Sequence, residues 1–464
     1  MPFSSKTPSQ EWLRSVGGVA LLAITAAARA QSTEAVPTQL AAAEAAPQTE
    51  IAQATVVSDA ASASEAIETV IVTAQRREQK IQDVPTSITA LSGDQLNDAG
   101  IGRSSSEVLK FIPNASAGTI GHGRPRWWIR GVGTGTQGLD SPSPVGLYLD
   151  DVYIDNASAT GFPIFDLDRI EVLRGPQGTL WGKNTTGGAI AFVSKKPTFT
   201  PDGYAKIDYG SYNDKIFEGA YGSGVNDWLA ARASFHYEDR EGPFDNQYSG
   251  DDEGGNRDAA GRIQFLARIT PNLDALLNVH FRNYRLDGNS ATVIAGRPDG
   301  TYYNNGTVVY TPSGDRGDVS SNAPTQGETR QSGAALTLNW QLGELALTSI
   351  SAYELFDNTN FSDGDNTPLE LSRSYAKGRS EQLSQELRLA SPSTDRLNWV
   401  GGLHYFTEHI SSDSVTATLP STINANGAYA DTTFSYHDDS LAAFGNVTFD
   451  VTDAFKLNGG LRWT

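Results

Sequence analysis

The chain has 464 residues and a formal net charge of −19, too acidic for sequence-independent binding of nucleic acid, which needs clustered Lys and Arg. It holds no cysteine, which excludes a disulfide framework and any thiolate metal or redox centre. No window carries the eighteen apolar residues of a transmembrane helix, but a β-barrel crosses a membrane on an alternating pattern, and 46 glycines with abundant Tyr and Trp suit that class.

Residues 1–30 read as a secretory signal: Lys6 and Arg14 supply positive charge, Val16 to Ala28 is a short, mostly apolar run, and Ala28-Arg29-Ala30 offers an A-x-A cleavage site. Residues 31–66 are Ala-rich with almost no aromatic side chain, which predicts a disordered linker unable to build a core. Residues 67–74, IETVIVTA, are an apolar run of β-formers beside that linker. The pattern allows two readings, the first strand of the next domain or an unpaired segment that adds a strand to another protein's sheet edge.

Residues 75–197 read as a small α/β domain. Val84-Pro-Thr-Ser-Ile-Thr-Ala is a predicted strand, Ser92-Gly-Asp94 caps a short helix through Leu96, and Ser104–Ser106 open another that Pro113 stops. Trp127-Trp128-Ile129-Arg130-Gly131 and Val145–Tyr153 are further strands. The domain ends in Ile170–Pro197, IEVLRGPQGTLWGKNTTGGAIAFVSKKP, where Gly175, Gly178, Gly182, Gly187 and Gly188 separate two apolar runs. Two nucleotide motifs fail here. A phosphate-binding loop needs Ser or Thr after its Lys, and Asn184 follows Lys183; Gly133, Gly135 and Gly138 make a GxGxxG, but Pro142 and Pro144 after it cannot open a helix. The six histidines (His122, His236, His280, His404, His409, His437) show no metal-ligand spacing, and no Ser/His/Asp arrangement occurs, so no enzyme, metal site or cofactor is expected.

In residues 198–464 the period becomes two. Leu229, Ala231, Ala233, Phe235 and Tyr237 alternate with Ala230, Arg232, Ser234, His236 and Glu238, and similar runs recur to Trp463, about eleven strands in all. Short connections near Ser223–Asp227, Thr270–Asn272, Gln341–Glu344, Ser391–Arg396 and Asp450–Asp453 alternate with long ones near Asp239–Ala260, Leu286–Arg330, Asp357–Arg379 and Ser411–Tyr436. That rhythm is expected of a membrane barrel and not of a soluble sandwich. Acidic loop clusters at Asp251–Glu253 and Asp363–Asp365 are either divalent-cation contacts or solvated charge.

The segment RIEVLRGPQGTLWGKNTTGGAI, preceded in order by ETVIVTAQRR, IRGVG and VGLYLDDVYI, resembles the plug of TonB-dependent outer-membrane receptors over about residues 67–197. The resemblance implies a mainly β fold, a plug followed by a transmembrane antiparallel barrel. Family barrels have twenty-two strands, so the chain, stopping mid-pattern at FKLNGGLRWT, reads as truncated. It implies that Glu68, Thr69, Val70, Ile71, Val72 and Thr73 form a TonB box that pairs with the inner-membrane energy-coupling protein. It implies charge pairs between plug and lumen wall, with Arg130, Arg174 and Glu171 as plug candidates and Glu386 as the wall's carboxylate. His122, Arg124, Trp127 and Trp128 become ligand-facing candidates. The implied function is active uptake of a scarce small molecule or metal chelate, by default a ferric siderophore, with cobalamin, haem or glycans as rivals within the class. A passive porin, a surface-binding protein or a non-functional remnant is the rival outside it. The implied setting is a monomer in the Gram-negative outer membrane, among lipid and lipopolysaccharide.

Overall fold

The computed structural model describes residues 71–464 except 121–123, 136–137, 140, 289–290, 292, 294–297, 305–308, 324, 393–395, 419–426 and 453–454. The expected signal, linker and first box residues Glu68, Thr69 and Val70 lie outside the described residues, as does His122.

The small domain begins with β1 (Ile88–Ser92) and α1 (Gly93–Asp98). Ser92 closes a capping box: its hydroxyl accepts from the Gln95 N–H at 3.2 Å, and the Gln95 side chain accepts from the Ser92 N–H at 3.0 Å. Ser92→Ala is expected to cost about 1 kcal/mol, read as a lower midpoint in denaturant unfolding. The predicted second helix is a 3₁₀ segment, Ser105–Phe111, capped by Ser104. Then follow β2 (Ala115–Ile120), β3 (Arg124–Ile129), β4 (Val145–Leu149), β5 (Val152–Ile154), β6 (Leu167–Arg174), the short α2 (Gly178–Trp181) and β7 (Gly188–Ser194). The main sheet runs β1-β6-β7-β4-β5, antiparallel except for the β7–β4 pair.

β6 and β7 are central and covered on both faces, which is why they read as continuous apolar runs rather than alternating ones. On one face Ile170, Val172, Ile190 and Phe192 pack with Leu96, Leu109 and Trp127. On the other, Leu173, Ala189 and Ala191 pack with Tyr148, Trp181 and Val72, and with Val400, Phe406 and Phe444 from the large sheet.

The large sheet holds β8 (Asp202–Gly210), β9 (Asp214–Gly224), β10 (Leu229–Arg240), β11 (Gly255–Thr270), β12 (Leu273–Asp287), β13 (Gln326–Leu342), β14 (Leu345–Asp363), β15 (Ser372–Ala390), β16 (Leu397–Thr418), β17 (Ala428–Thr452) and β18 (Phe455–Trp463). Each strand pairs antiparallel with the next in sequence. The burial pattern is inverted relative to a soluble protein. On β15, Leu383 and Leu387 are 46% and 41% exposed, while Glu386 and Arg388 between and beyond them are 7% and 6% exposed. Phe217, Phe235, Ile263, Phe281 and Leu336 continue the outward apolar surface on neighbouring strands. Apolar side chains facing out and charged ones facing in is the arrangement that lipid demands of a barrel wall.

Two of the four long connections differ from expectation. Asp357–Arg379 and Ser411–Tyr436 are mostly ladder: β14 and β15 run 19 residues each, β16 runs 22 and β17 runs 25. About 9–11 tilted residues suffice to cross lipid, so these hairpins continue past the apolar band. There both faces are polar, as at Thr359 opposite Lys377 and Ser414 opposite Thr432, so the alternation vanishes while the backbone pairing persists.

Candidate functional site

The chemistry of the interior centres on the two-residue turn Asp150-Asp151 between β4 and β5. Both residues have positive φ, 50° and 69°, the primed hairpin geometry that normally selects Asn-Gly or Asp-Gly. Their side chains are committed. Asp150 accepts from the Ser194 N–H and hydroxyl, each at 2.7 Å, and from Asn278 Nδ2 on β12 at 2.6 Å. Asp151 bridges Arg76 Nη1 at 2.9 Å and Arg388 Nη2 on β15 at 2.8 Å. Burial alone would push the Asp151 carboxyl up, but Arg388 and Arg76 outweigh it and hold it well below the usual carboxylate range. Glu386 completes the cluster, 3.2 Å from Arg388 Nε and 4.0 Å from Arg76 Nη2. The Arg76 guanidinium also lies over the rings of Trp181 at 4.1 Å and Tyr148 at 4.9 Å.

Glu386 therefore faces inward, as alternation places it, but its cationic neighbours are Arg76 and Arg388 rather than Arg130 or Arg174. Arg130 is exposed in the turn after β3, with φ of 52°, and Arg174 donates to the Pro113 carbonyl at 3.4 Å. Glu171 is not in that network either. It sits on the same sheet face as Leu173, fully buried, under the segment that precedes Arg76.

That segment is docked. Ile71–Val72 pairs antiparallel with Gln79–Lys80, and Val72 and Ala74 are buried. Trp181 Nε1 donates to the Ala74 carbonyl at 2.9 Å. The Thr73 N–H donates to Glu171 Oε1 and Oε2 at 2.8 and 3.0 Å, the Thr73 hydroxyl donates to Oε1 at 2.9 Å, and Arg169 Nε donates to Oε1 at 2.9 Å. Burial pushes the Glu171 carboxyl up, and the opposing pull of Arg169 and Thr73 does not cancel it. The described end of the predicted box, Ile71–Thr73, is thus paired within this chain, not a free extended segment.

Further ties join the small domain to the wall. Arg232 on β10 grips Asp166 through Nε at 2.8 Å and Nη2 at 2.5 Å, with both side chains almost fully buried. Arg262 on β11 donates to the Phe165 and Asp166 carbonyls at 3.1 and 2.8 Å. Gln382 on β15 donates to the Tyr153 carbonyl at 2.6 Å, and Lys183 pairs with Asp155 at 3.2 Å and with Asp438 on β17. The sequence signal for Arg232 was its place on the inward face of an alternating strand; for Asp151 and Asp166, both in turns, periodicity carries no signal.

The ligand-facing candidates scatter. Trp127 is fully buried in the core, where it packs with Ile170, Val172 and Phe192, its Nε1 donating to Thr160 Oγ1 at 3.0 Å. Trp128 is half-buried with its ring against Gly118 and Gly133. Arg124 is placed on β3 by its backbone alone. The Asp363–Asp365 cluster ties two loops: Asp363 accepts from the Asp365 and Asn366 N–H groups at 3.0 Å each and from the Ser321 hydroxyl and Asn322 N–H at 3.0 and 3.1 Å, and Asp365 accepts from the Ser372 N–H at 2.8 Å. No group of three His, Asp or Glu with metal-binding geometry occurs among the described residues. A gap between the small domain and β11–β15 is lined by Ile154, Phe162 and Phe165 on one side and by Arg262, His280 and Gln331 on the other.

Residues 80–189 match the family model of the TonB-dependent receptor plug domain. The pesticin receptor of Yersinia pestis is 26% identical over 429 residues, covering 85% of this chain and 55% of that receptor. The ferrichrome outer membrane transporter/phage receptor of Escherichia coli is 28% identical over 152 residues, 32% of this chain and 19% of that protein. The crystal structure of the ferric yersiniabactin uptake receptor FyuA of Yersinia pestis superposes with a TM-score of 0.70 at 21% identity, covering 81% of this chain and 56% of that one. The ferripyoverdine receptor of the Pseudomonas aeruginosa outer membrane gives 0.68 at 16% identity, covering 85% and 53%. The chain spans about half the length of the curated relatives it matches. Residues 80–189 thus match a TonB-dependent receptor plug domain, and the chain, with its inverted eleven-strand wall, shares the fold of these outer-membrane receptors.

Proposed function

We propose that this chain is the plug and adjoining wall of an active importer that takes a ferric siderophore across the outer membrane. The observation that carries the reading is the segment Ile71–Arg76. It is anchored at Thr73 to the centre of the plug sheet and at Arg76, through Asp151, to the barrel wall. A pull on residues 68–73 from the inner-membrane energy-coupling protein would therefore load both the plug fold and its seat in the barrel. The iron-chelate substrate is supported by the relatives, whose names include receptors for ferrichrome and ferrioxamine B. The reading involves no covalent step: the ligand binds, the plug shifts, and a path opens along the gap beside Phe162 and His280. It places the protein as a monomer among outer-membrane lipid and lipopolysaccharide.

The test is uptake of a radiolabelled ferric siderophore by cells whose receptor carries this chain. Uptake is expected to fall to background on collapse of the proton-motive force and, independently, on deletion of residues 68–73, with surface binding retained. A passive porin would keep its flux under both treatments.

A further inference from the structure

We propose that Glu171 is the latch holding the coupling segment on the plug, and that Thr73 is where a pull, once Ile71–Val72 has parted from Gln79–Lys80, frees the segment from the plug sheet. The proposal rests on the reading of residues 68–73 as the coupling segment, but the latch is defined by geometry of its own. Glu171 is a fully buried carboxylate on a sheet face where Leu173, Ala189 and Ala191 are apolar and Arg169 is its charged neighbour. Its register neighbours are Ala90 on β1 and Ala191 on β7, small residues that leave a trough across three strands. Thr73 lies in that trough with its N–H and hydroxyl both spent on the carboxylate.

An apolar residue would fill this place at less cost, because burying a carboxylate is unfavourable unless every lone pair finds a donor. What the carboxylate adds is the shape of the attachment. Hydrogen bonds weaken steeply as donor and acceptor part, so they resist small excursions and then fail within a short displacement. Contact of apolar surfaces fades over a longer pull. Once Thr73 leaves, Glu171 keeps Arg169 and regains water, so the released state is not penalised by a stranded buried charge. The Thr73 N–H reaches both oxygens, and its hydroxyl adds a second bond to Oε1, which Arg169 Nε also meets.

The test uses the whole chain in outer membranes. The sequence has no cysteine, so Ile71→Cys, at a position 43% exposed, takes a single nitroxide label beside the latch. The label is expected to be immobilised in the parent and to shift towards the mobile form at least tenfold in Glu171→Met, which keeps the length but accepts no hydrogen bond. Glu171→Gln, which keeps an acceptor for the Thr73 N–H, is expected to restore most of the immobile signal. If Glu171→Met leaves the label immobile, the residue only fills space and the latch is overturned. Binding of a purified periplasmic TonB domain is measured on the same samples and is expected to tighten about tenfold in Glu171→Met, since the segment no longer has to undock first. A mobile label with unchanged binding would leave the latch standing and sink the coupling role of residues 68–73.

Discussion

Asp166→Ala is expected to weaken seating of the plug by about 3–5 kcal/mol, the cost of breaking a buried ion pair from one side. Arg232 would be left inside the wall, 2% exposed, with Asp202 as its remaining carboxylate partner at 3.1 Å. Asp166 also has a positive φ of 51°, which alanine tolerates poorly, so backbone strain must be separated from lost charge. Asp166→Asn does this, because asparagine accepts that conformation while giving up the ionic pair. Replacing both partners, Asp166→Asn with Arg232→Leu, is expected to recover part of the loss, since Arg232 is no longer stranded while Arg262, 3.7 Å from the lost carboxylate, keeps only its two carbonyl partners. The readout is the protease resistance of the plug in folded protein, scored against denaturant concentration. Equal resistance in Asp166→Ala and parent would show that the other plug–wall ties suffice without this pair.

Asp151 should give a smaller loss with a distinctive pH dependence. Removing it releases Arg76 and Arg388 together, but the side chain is 29% exposed and water replaces part of what is lost, so Asp151→Ala is expected to cost about 2 kcal/mol. The carboxyl is held below its ordinary value in the docked state by Arg388 and Arg76. A depressed value means that the ionised form favours docking. The contribution is complete above the free carboxylate value of about 4 and is lost as pH falls through the depressed docked value. Plug docking, followed by protease resistance of residues 71–80 across a pH series, should stay flat from pH 7 to about pH 5 and decline below about pH 4. In Asp151→Asn the decline should be absent or much shallower, from a lower starting level. A variant that tracks the parent through the acid range would assign the decline to another group.

The wall was legible in the sequence because lipid on one side and plug on the other impose strict alternation. Arg232, His236 and Glu238 against Phe235 and Tyr237 can be read only one way. Where the hairpins leave the lipid, both faces are wetted and polar, so Asp357–Arg379 looked like loop although it is largely ladder. In the plug, local signals sufficed: the Ser92–Gln95 box and Pro113 mark element ends without tertiary help. The pairing of charges did not follow from such signals. Which arginine meets Glu386 depends on how the plug is rotated in its seat, and that rotation is fixed by contacts far apart in sequence, such as Asp151 with Arg388. Trp127 was misplaced for a related reason: an exposed aromatic and a core aromatic in a β-run look alike until the packing of the strand is known.

The neighbour-to-neighbour order of the large sheet bears on how it can assemble. Every strand from β8 to β18 finds its partner immediately before or after it in the chain, so the wall can grow one hairpin at a time, most pairings closing a short loop and β12–β13 a long one. The plug precedes it in the chain. A one-residue slip of β10 would turn Arg232 out towards lipid, and one of β15 would do the same to Glu386 and Arg388, with their apolar neighbours turned inward. Each arginine so exposed near the bilayer midplane costs about 2–4 kcal/mol. Misregistered hairpins would thus be rejected by the membrane, and the inward charges that seat the plug would also act as proofreaders of the fold.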